Sequence, residues 1–442
     1  MPNWTSLAKK NILFLALYLC GFFTLNSQSP YHLVQAMLSG QDSLWLPMRT
    51  YTFQKAVTDQ TITQTLRMFS PMAQPLVSDS GICLFKGSPT LYRFFLSKTR
   101  PDLHFTLSLR MEGDSMAAAW IQPAMPRATQ PEIPSWAQQL PTPQEIWIPF
   151  ENGMFSAFLF QPNQVSAQTP LVYLIAGSGP QDAFGTTGPN QPLKELAQRL
   201  QQHGIMVLVH PKVSVFLPEF LTKNAEAGLQ EEYVAPADAV MAWLAHTPHH
   251  SSPVFLAGHS LGGVMAPWIA ANHSRIKGVI GLAAPSTPLY LLVPQQLTFL
   301  AKKSGRWKTP VVRQQIQDME RDVQTFHRTG QLEKSPLTGV PLAYWKSVRE
   351  YAVDKPKSFS TVPHLFVSGS ADYQVPPSTM KAWKKWIPQA TYLHVRGMDH
   401  LLRISPEPSG SDAYSKYWPV DTQMVDGLAE WILEKTTSRL PE

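Results

Sequence analysis

Three patterns of apolar and polar positions follow one another along the chain. Asn11 to Leu25 is one uncharged run rich in Leu and Phe, Leu103 to Arg110 and Met116 to Gln122 alternate, and beyond residue 144 short continuous apolar runs take turns with segments of helical period. The alternating runs, joined at Glu112-Gly113-Asp114, predict a β-hairpin, and Ile146 to Phe150 with Met154 to Phe160 around Asn152-Gly153 predict a second. Leu171 to Ala176, Ile205 to Val209, Val254 to Ala257, Gly278 to Leu282, His364 to Ser368 and Tyr392 to Val395 read as further strands. Between them Pro192 to Gln202, Ala235 to Ala245 and Val264 to Asn272 read as helices. Strands alternating with helices build a mostly parallel sheet between helical layers, so the expected fold class is α/β.

Two stretches interrupt this order. Between Pro123 and Pro143 six prolines fall in 21 residues, too many for a helix or a central strand, which marks a semi-rigid linker over 123–143. It separates a small α+β unit over 31–122, opening with a helix at Tyr31 to Leu38, from the main unit over 144–438. The second interruption, about 285–360, lacks strand signals; Val312, Ile316, Met319, Val323 and Phe326 recur there at spacings of four and three, marking an amphipathic helix. An insertion at this point is placed to act as a cap over the sheet rim, the alternative being a helical layer packed elsewhere. Tyr344-Trp345 either line a pocket or anchor that cap.

Composition narrows the classes. With 44% hydrophobic residues in 442 the chain has material for a large core, and 40 prolines without a repeating period exclude fibrous and repeat architectures. The net charge of +6 is a mild excess, and Lys302 to Lys308 and Lys381 to Lys385 read as solvated helix faces, so no nucleic-acid partner is expected. An anionic membrane surface is the weak partner such charge allows. Lys9-Lys10 followed by the run to Leu25 and polar Asn26, Ser27 and Gln28 has the layout of a secretory signal over 1–28, with retention as a membrane tether as its alternative. Export to the periplasm or medium is therefore expected. Cys20 lies inside that run, so Cys83 would be left without a disulfide partner, as a buried inert thiol.

The chemistry concentrates at Gly258-His259-Ser260-Leu261-Gly262. A bare G-x-S-x-G is weak evidence, but here it follows an apolar strand and precedes a helical run, with Gly263 allowing close packing. A sharp strand-turn-helix lifts a serine hydroxyl above the sheet edge, which makes Ser260 a candidate nucleophile. Its base should follow in the chain. His364 and His394 lie in predicted strands and His327 on the amphipathic helix, whereas His400 sits in the loop after the last strand. Asp372, in the turn after His364 to Ser368, is the candidate acid holding the imidazole; Asp399 competes and is read as a loop-surface residue. The backbone N–H of Leu261 and that of Ser178, with Gly179 second, are the candidate oxyanion donors. His246, His249 and His250 lack acidic companions at ligand spacing, so neither a metal nor a cofactor is expected.

These motifs resemble those of a bacterial α/β-hydrolase of the secreted carboxylesterase kind that carries a small N-terminal domain. Ala176 to Asn190, reading AGSGPQDAFGTTGPN, is similar to that family's oxyanion loop, GHSLGG at Gly258 to Gly263 to its elbow, GSADYQV at Gly369 to Val375 to its acid turn, and Asp399-His400-Leu401 to its histidine loop. The resemblance implies an α/β-hydrolase fold with a helical cap and hydrolysis of small-molecule carboxylic esters. Peptide or thioester cleavage by the same three residues, and a non-catalytic binding role on this scaffold, are the alternatives. The chain departs from the family pattern at Ala183, where a basic residue is usual, at Ser347, where an acidic one is usual within Tyr-Trp-x-x-x-Arg, and at His210-Pro211-Lys212, usually Tyr-Asp-Lys.

Overall fold

The computed structural model describes residues 135–150, 153–216, 226–331, 340–351, 361–405 and 411–437 as continuous stretches, with shorter pieces between 46 and 124 and at 335 and 359. The expected signal segment and the helix at Tyr31 to Leu38 lie outside them. Among the described residues no helix is long and apolar enough to cross a membrane.

Two sheets form. The first joins β1 (Ala73–Leu76), β2 (Ile82–Phe85), β3 (Ser88–Ser97), β4 (His104–Glu112) and β5 (Ser115–Ala124). All its pairings are antiparallel, with β4 and β5 forming the expected hairpin.

The second sheet comprises β6 (Gln144–Phe150), β7 (Gly153–Phe160), β8 (Leu171–Ile175), β9 (Met206–Val209), β10 (Val254–His259), β11 (Ile276–Leu282), β12 (His364–Gly369) and β13 (Thr391–Val395). Their spatial order is β13-β12-β11-β10-β8-β9-β7-β6. The six strands from β8 to β13 are parallel, and the β6–β7 hairpin closes one edge in antiparallel register. Burial of both faces explains why β8 and β9 are unbroken apolar runs with every residue buried.

Helices cover both faces. Leu193, Leu196, Ala197 and Leu200 of α1 (Pro192–Gln202) and Met424, Val425, Leu428 and Ile432 of α8 (Thr422–Thr437) pack with Val172 and Leu174 on one side. On the other, α2 (Ala235–Leu244) and α3 (Leu261–Ala271) pack with Tyr173 and Ile175, and Trp383 of α7 (Met380–Trp386) joins them. Between β11 and β12 the insertion forms α4 (Leu289–Lys303), α5 (Pro310–Thr329) and α6 (Leu342–Glu350). Along α5, Ile316, Val323 and Phe326 are buried, Pro310 opens the first turn, and Gly330 at φ 72° ends it with its N–H on Phe326 O at 2.8 Å. Tyr344 and Trp345 anchor rather than project: Trp345 is buried with its indole N–H on Ser335 Oγ, and the Tyr344 hydroxyl donates to Glu232.

Because β9 lies on one side of β8 and β10 on the other, the chain reverses direction across the sheet at β8, the place where open α/β sheets form a crevice beyond their carboxyl ends.

Candidate active site

The strand β10 runs two residues beyond the expected Ala257 and ends at His259, and α3 begins at Leu261, so Ser260 is the whole turn. Its φ of 53° and ψ of −120° are strained for a residue with a side chain. Only glycine fits beside it. A Cβ on Gly258 would stand 2.1 Å from the Gly262 carbonyl oxygen, a backbone atom that cannot step aside. The turn leaves Ser260 8% exposed and Leu261 at the head of a helix, where the first N–H groups have no intrahelical acceptor.

His400 and Asp372 meet from separate loops. Asp372 Oδ1 accepts the backbone N–H groups of Gln374 and Val375, both at 2.8 Å, and Oδ2 lies 2.8 Å from His400 Nδ1. With Nδ1 donating to the carboxylate, the imidazole keeps Nε2 free to take a proton. The His400 loop reaches the elbow through His259: its Nε2 donates to the His400 carbonyl at 2.7 Å, and the two rings lie 4.7 Å apart. Burial, with the His400 ring beside it, pushes His259 down to about 3, so it is a neutral support. Ser260 Oγ makes no hydrogen bond to His400 here; such bonds are often long in resting sites and tighten around substrate.

Ser178 follows β8, the strand paired with β10. Gly177 brings this turn against Ser260, since a Cβ there would lie 3.1 Å from Ser260 Cβ. The Gly177 carbonyl accepts from Lys212 Nζ at 2.9 Å and from the Tyr233 hydroxyl at 2.7 Å. Gly179 sits one residue further out with φ 80° and open space around it.

Asp399 is not a surface residue. It is 2% exposed and paired with Arg403, Nε to Oδ2 at 3.1 Å, while its Oδ1 accepts the N–H groups of Leu401 and Arg403. Leu402 at φ 63° turns the chain back so that residues four apart meet in a loop. Arg403 Nη1 then donates to Asn190 Oδ1 at 2.7 Å, and Asn190 Nδ2 donates to the carbonyls of Thr187 and Tyr414. The loop that carries Ser178 is thus tied to the loop that carries His400.

The remaining candidates stand apart. His364 is buried at the start of β12, His394 contacts Ser368 Oγ, and the Tyr290 hydroxyl meets His327 Nδ1. His249 contacts Gln161, and His250 contacts Thr247 O. At the departures from the family pattern, Ala183 is buried, His210 lies between the Tyr173 hydroxyl and Pro211 O, and Ser347 Oγ accepts from Leu229 N–H. From the insertion, α4 reaches the acid turn: Gln296 donates to Gln374 O, and Phe299 stacks on Tyr373 at 4.8 Å.

The chain is similar in part to known proteins. Residues 191–404, from the start of α1 to just past His400, match the family model Hydrolase_4, described as serine aminopeptidase, S33. Esterase EstD of Thermotoga maritima is 26% identical over 361 residues, covering 78% of this chain and 80% of that protein. The chain has an α/β-hydrolase fold. Solved structures similar to this chain include Est1E from Butyrivibrio proteoclasticus, with TM-score 0.44 and 16% identity over 66% of this chain and 99% of that one. Another is the Pyrococcus horikoshii acylaminoacyl peptidase, with TM-score 0.47 and 12% identity over 82% and 57%.

Proposed function

We propose that this protein cleaves carboxylic esters through an acyl-enzyme on Ser260. The reading is carried by the Asp372–His400 hydrogen bond of 2.8 Å, joined through His259 to the strained strand-to-helix turn at Ser260. His400 Nε2 takes the Ser260 proton as Oγ attacks the ester carbonyl, and the negative charge that develops on the carbonyl oxygen is met by the N–H groups of Leu261 and Ser178. His400 returns the proton to the departing alcohol. A water molecule, deprotonated by the same nitrogen, then releases the acid and restores Ser260.

Similarity to Esterase EstD supports the ester as substrate. The description of the matched family as a serine aminopeptidase keeps a peptidase reading in view, since the same three residues perform both reactions. Side-by-side turnover of p-nitrophenyl acetate and aminoacyl p-nitroanilides separates the two. Ser260→Ala is expected to abolish ester turnover and labelling by a fluorophosphonate probe with an unchanged circular-dichroism spectrum; retained turnover rejects the assignment. We also propose export directed by residues 1–28, on the basic start and apolar run at Lys9 to Leu25. Fractionation of the producing cells, with the protein found in the cytosol, would refute it.

A further inference from the structure

Four buried side chains form a polar cluster that the reaction above does not use. Lys212 Nζ has three protons and three acceptors: Gly177 O at 2.9 Å, the Tyr233 hydroxyl at 2.6 Å and Glu232 Oε2 at 3.0 Å. Tyr233 passes its own proton to Gly177 O at 2.7 Å, and Tyr344 donates to Glu232 Oε2 at 2.8 Å. Lys212, Glu232 and Tyr233 are each no more than 3% exposed. A buried ion pair is costly beside an apolar packing of the same volume, so its location calls for a reason other than stability.

That location is one peptide from the site of developing charge. We propose that Lys212 and Tyr233 are positioning residues for the oxyanion hole: they clamp the Gly177 carbonyl so that the Ser178 N–H of the same peptide faces the substrate oxygen. The peptide unit is planar and trans, so its C=O and N–H point in opposite directions. Two donors converging on Gly177 O therefore fix where the Ser178 N–H aims, before substrate arrives. The Lys212 charge on the carbonyl side also polarises the peptide and strengthens its N–H as a donor. Glu232 and Tyr344 hold the ammonium in place. A second tie, Lys212 N–H to Gln181 O at 2.9 Å, secures the loop just beyond. Neither Lys212 nor Tyr233 touches substrate in this account.

The inference rests on the serine-hydrolase reading of Ser260, and the test separates the two. Tyr233→Phe and Lys212→Met are compared with wild type for kcat and KM on p-nitrophenyl acetate. The kcat is expressed per site, counted by fluorophosphonate labelling taken to completion, so that misfolded molecules drop out. In parallel, a trifluoromethyl ketone is bound, which adds Ser260 to give a hemiketal whose oxyanion fills the hole. Each substitution is expected to lower kcat per labelled site by roughly ten- to a hundredfold with KM within about twofold of wild type. Each should weaken the ketone by the same factor as kcat/KM. Wild-type kcat per labelled site, a loss confined to KM, or unchanged ketone affinity would overturn the clamp while leaving Ser260 as nucleophile. A wild-type chain that neither labels nor turns over ester refutes the Ser260 reading and the clamp with it. Tyr233→Phe removes a single oxygen, so it carries the test should Lys212→Met fail to fold.

Discussion

At the scale of single residues, His400 is held by two neighbours with different tasks. Asp372 fixes its tautomer, and Asp399 fixes its loop through Arg403. Both side chains of the second pair are almost fully buried, so removing one leaves the other as an uncompensated charge. Arg403→Ala is expected to cost about 3–5 kcal/mol, read as a fall in the urea midpoint at pH 7, and Arg403→Ala with Asp399→Ala should recover much of it. A midpoint within experimental error of wild type for the single variant would show the pair to be idle. The order serine, acid, histidine pointed to Asp372 and His400 from sequence. Asp399 misled because adjacency to His400 was the only visible fact about it; the positive φ of Leu402, which returns Arg403 to it, has no glycine or other marker in the chain.

At the scale of elements, the site depends on how closely β10, α3 and the turn after β8 approach one another. Gly258→Ala puts a Cβ 2.1 Å from a backbone oxygen of α3, so strand and helix must separate. The expected loss is at least about 3 kcal/mol, seen as a lowered thermal midpoint together with lost ester turnover; a variant as stable and active as wild type would mean the elbow can open without cost. The strands of this layer were legible because parallel strands buried on both faces read as continuous apolar runs, and α1 and α5 because their stripes keep helical period. The insertion was harder. Pro294 inside α4 and the nine-residue length of α6 blur their periodicity, so only α5 stood out. The clamp on Gly177 was not legible: Lys212 and Tyr344 each lie in a motif the sequence singled out, but Lys212, Glu232 and Tyr344 come from a loop, a π-helix and a helix of the insertion, with nothing in their spacing to join them.

At the scale of the whole molecule, three histidines are sealed into the fold as neutral groups. Burial pushes His210 and His364 down to about 4 and His259 to about 3, all below the ordinary value of 6.5. Between those values the unfolded chain binds a proton at each histidine that the folded chain refuses. Stability therefore rises with pH across this window and falls as pH drops below about 6.5, levelling only near pH 3–4. From pH 7 to pH 5 the three together are expected to remove on the order of 5 kcal/mol, measurable as the urea unfolding free energy at each pH. The contribution of a single histidine is isolated by substitution. His364 suits this purpose, because its Nε2 is buried without a hydrogen-bond partner and its ring stacks on Phe366 away from the elbow. His364→Phe should flatten the slope of stability against pH between 6 and 5 by about one proton while leaving ester turnover per labelled site unchanged. An equal slope in both proteins would mean that His364 charges inside the fold.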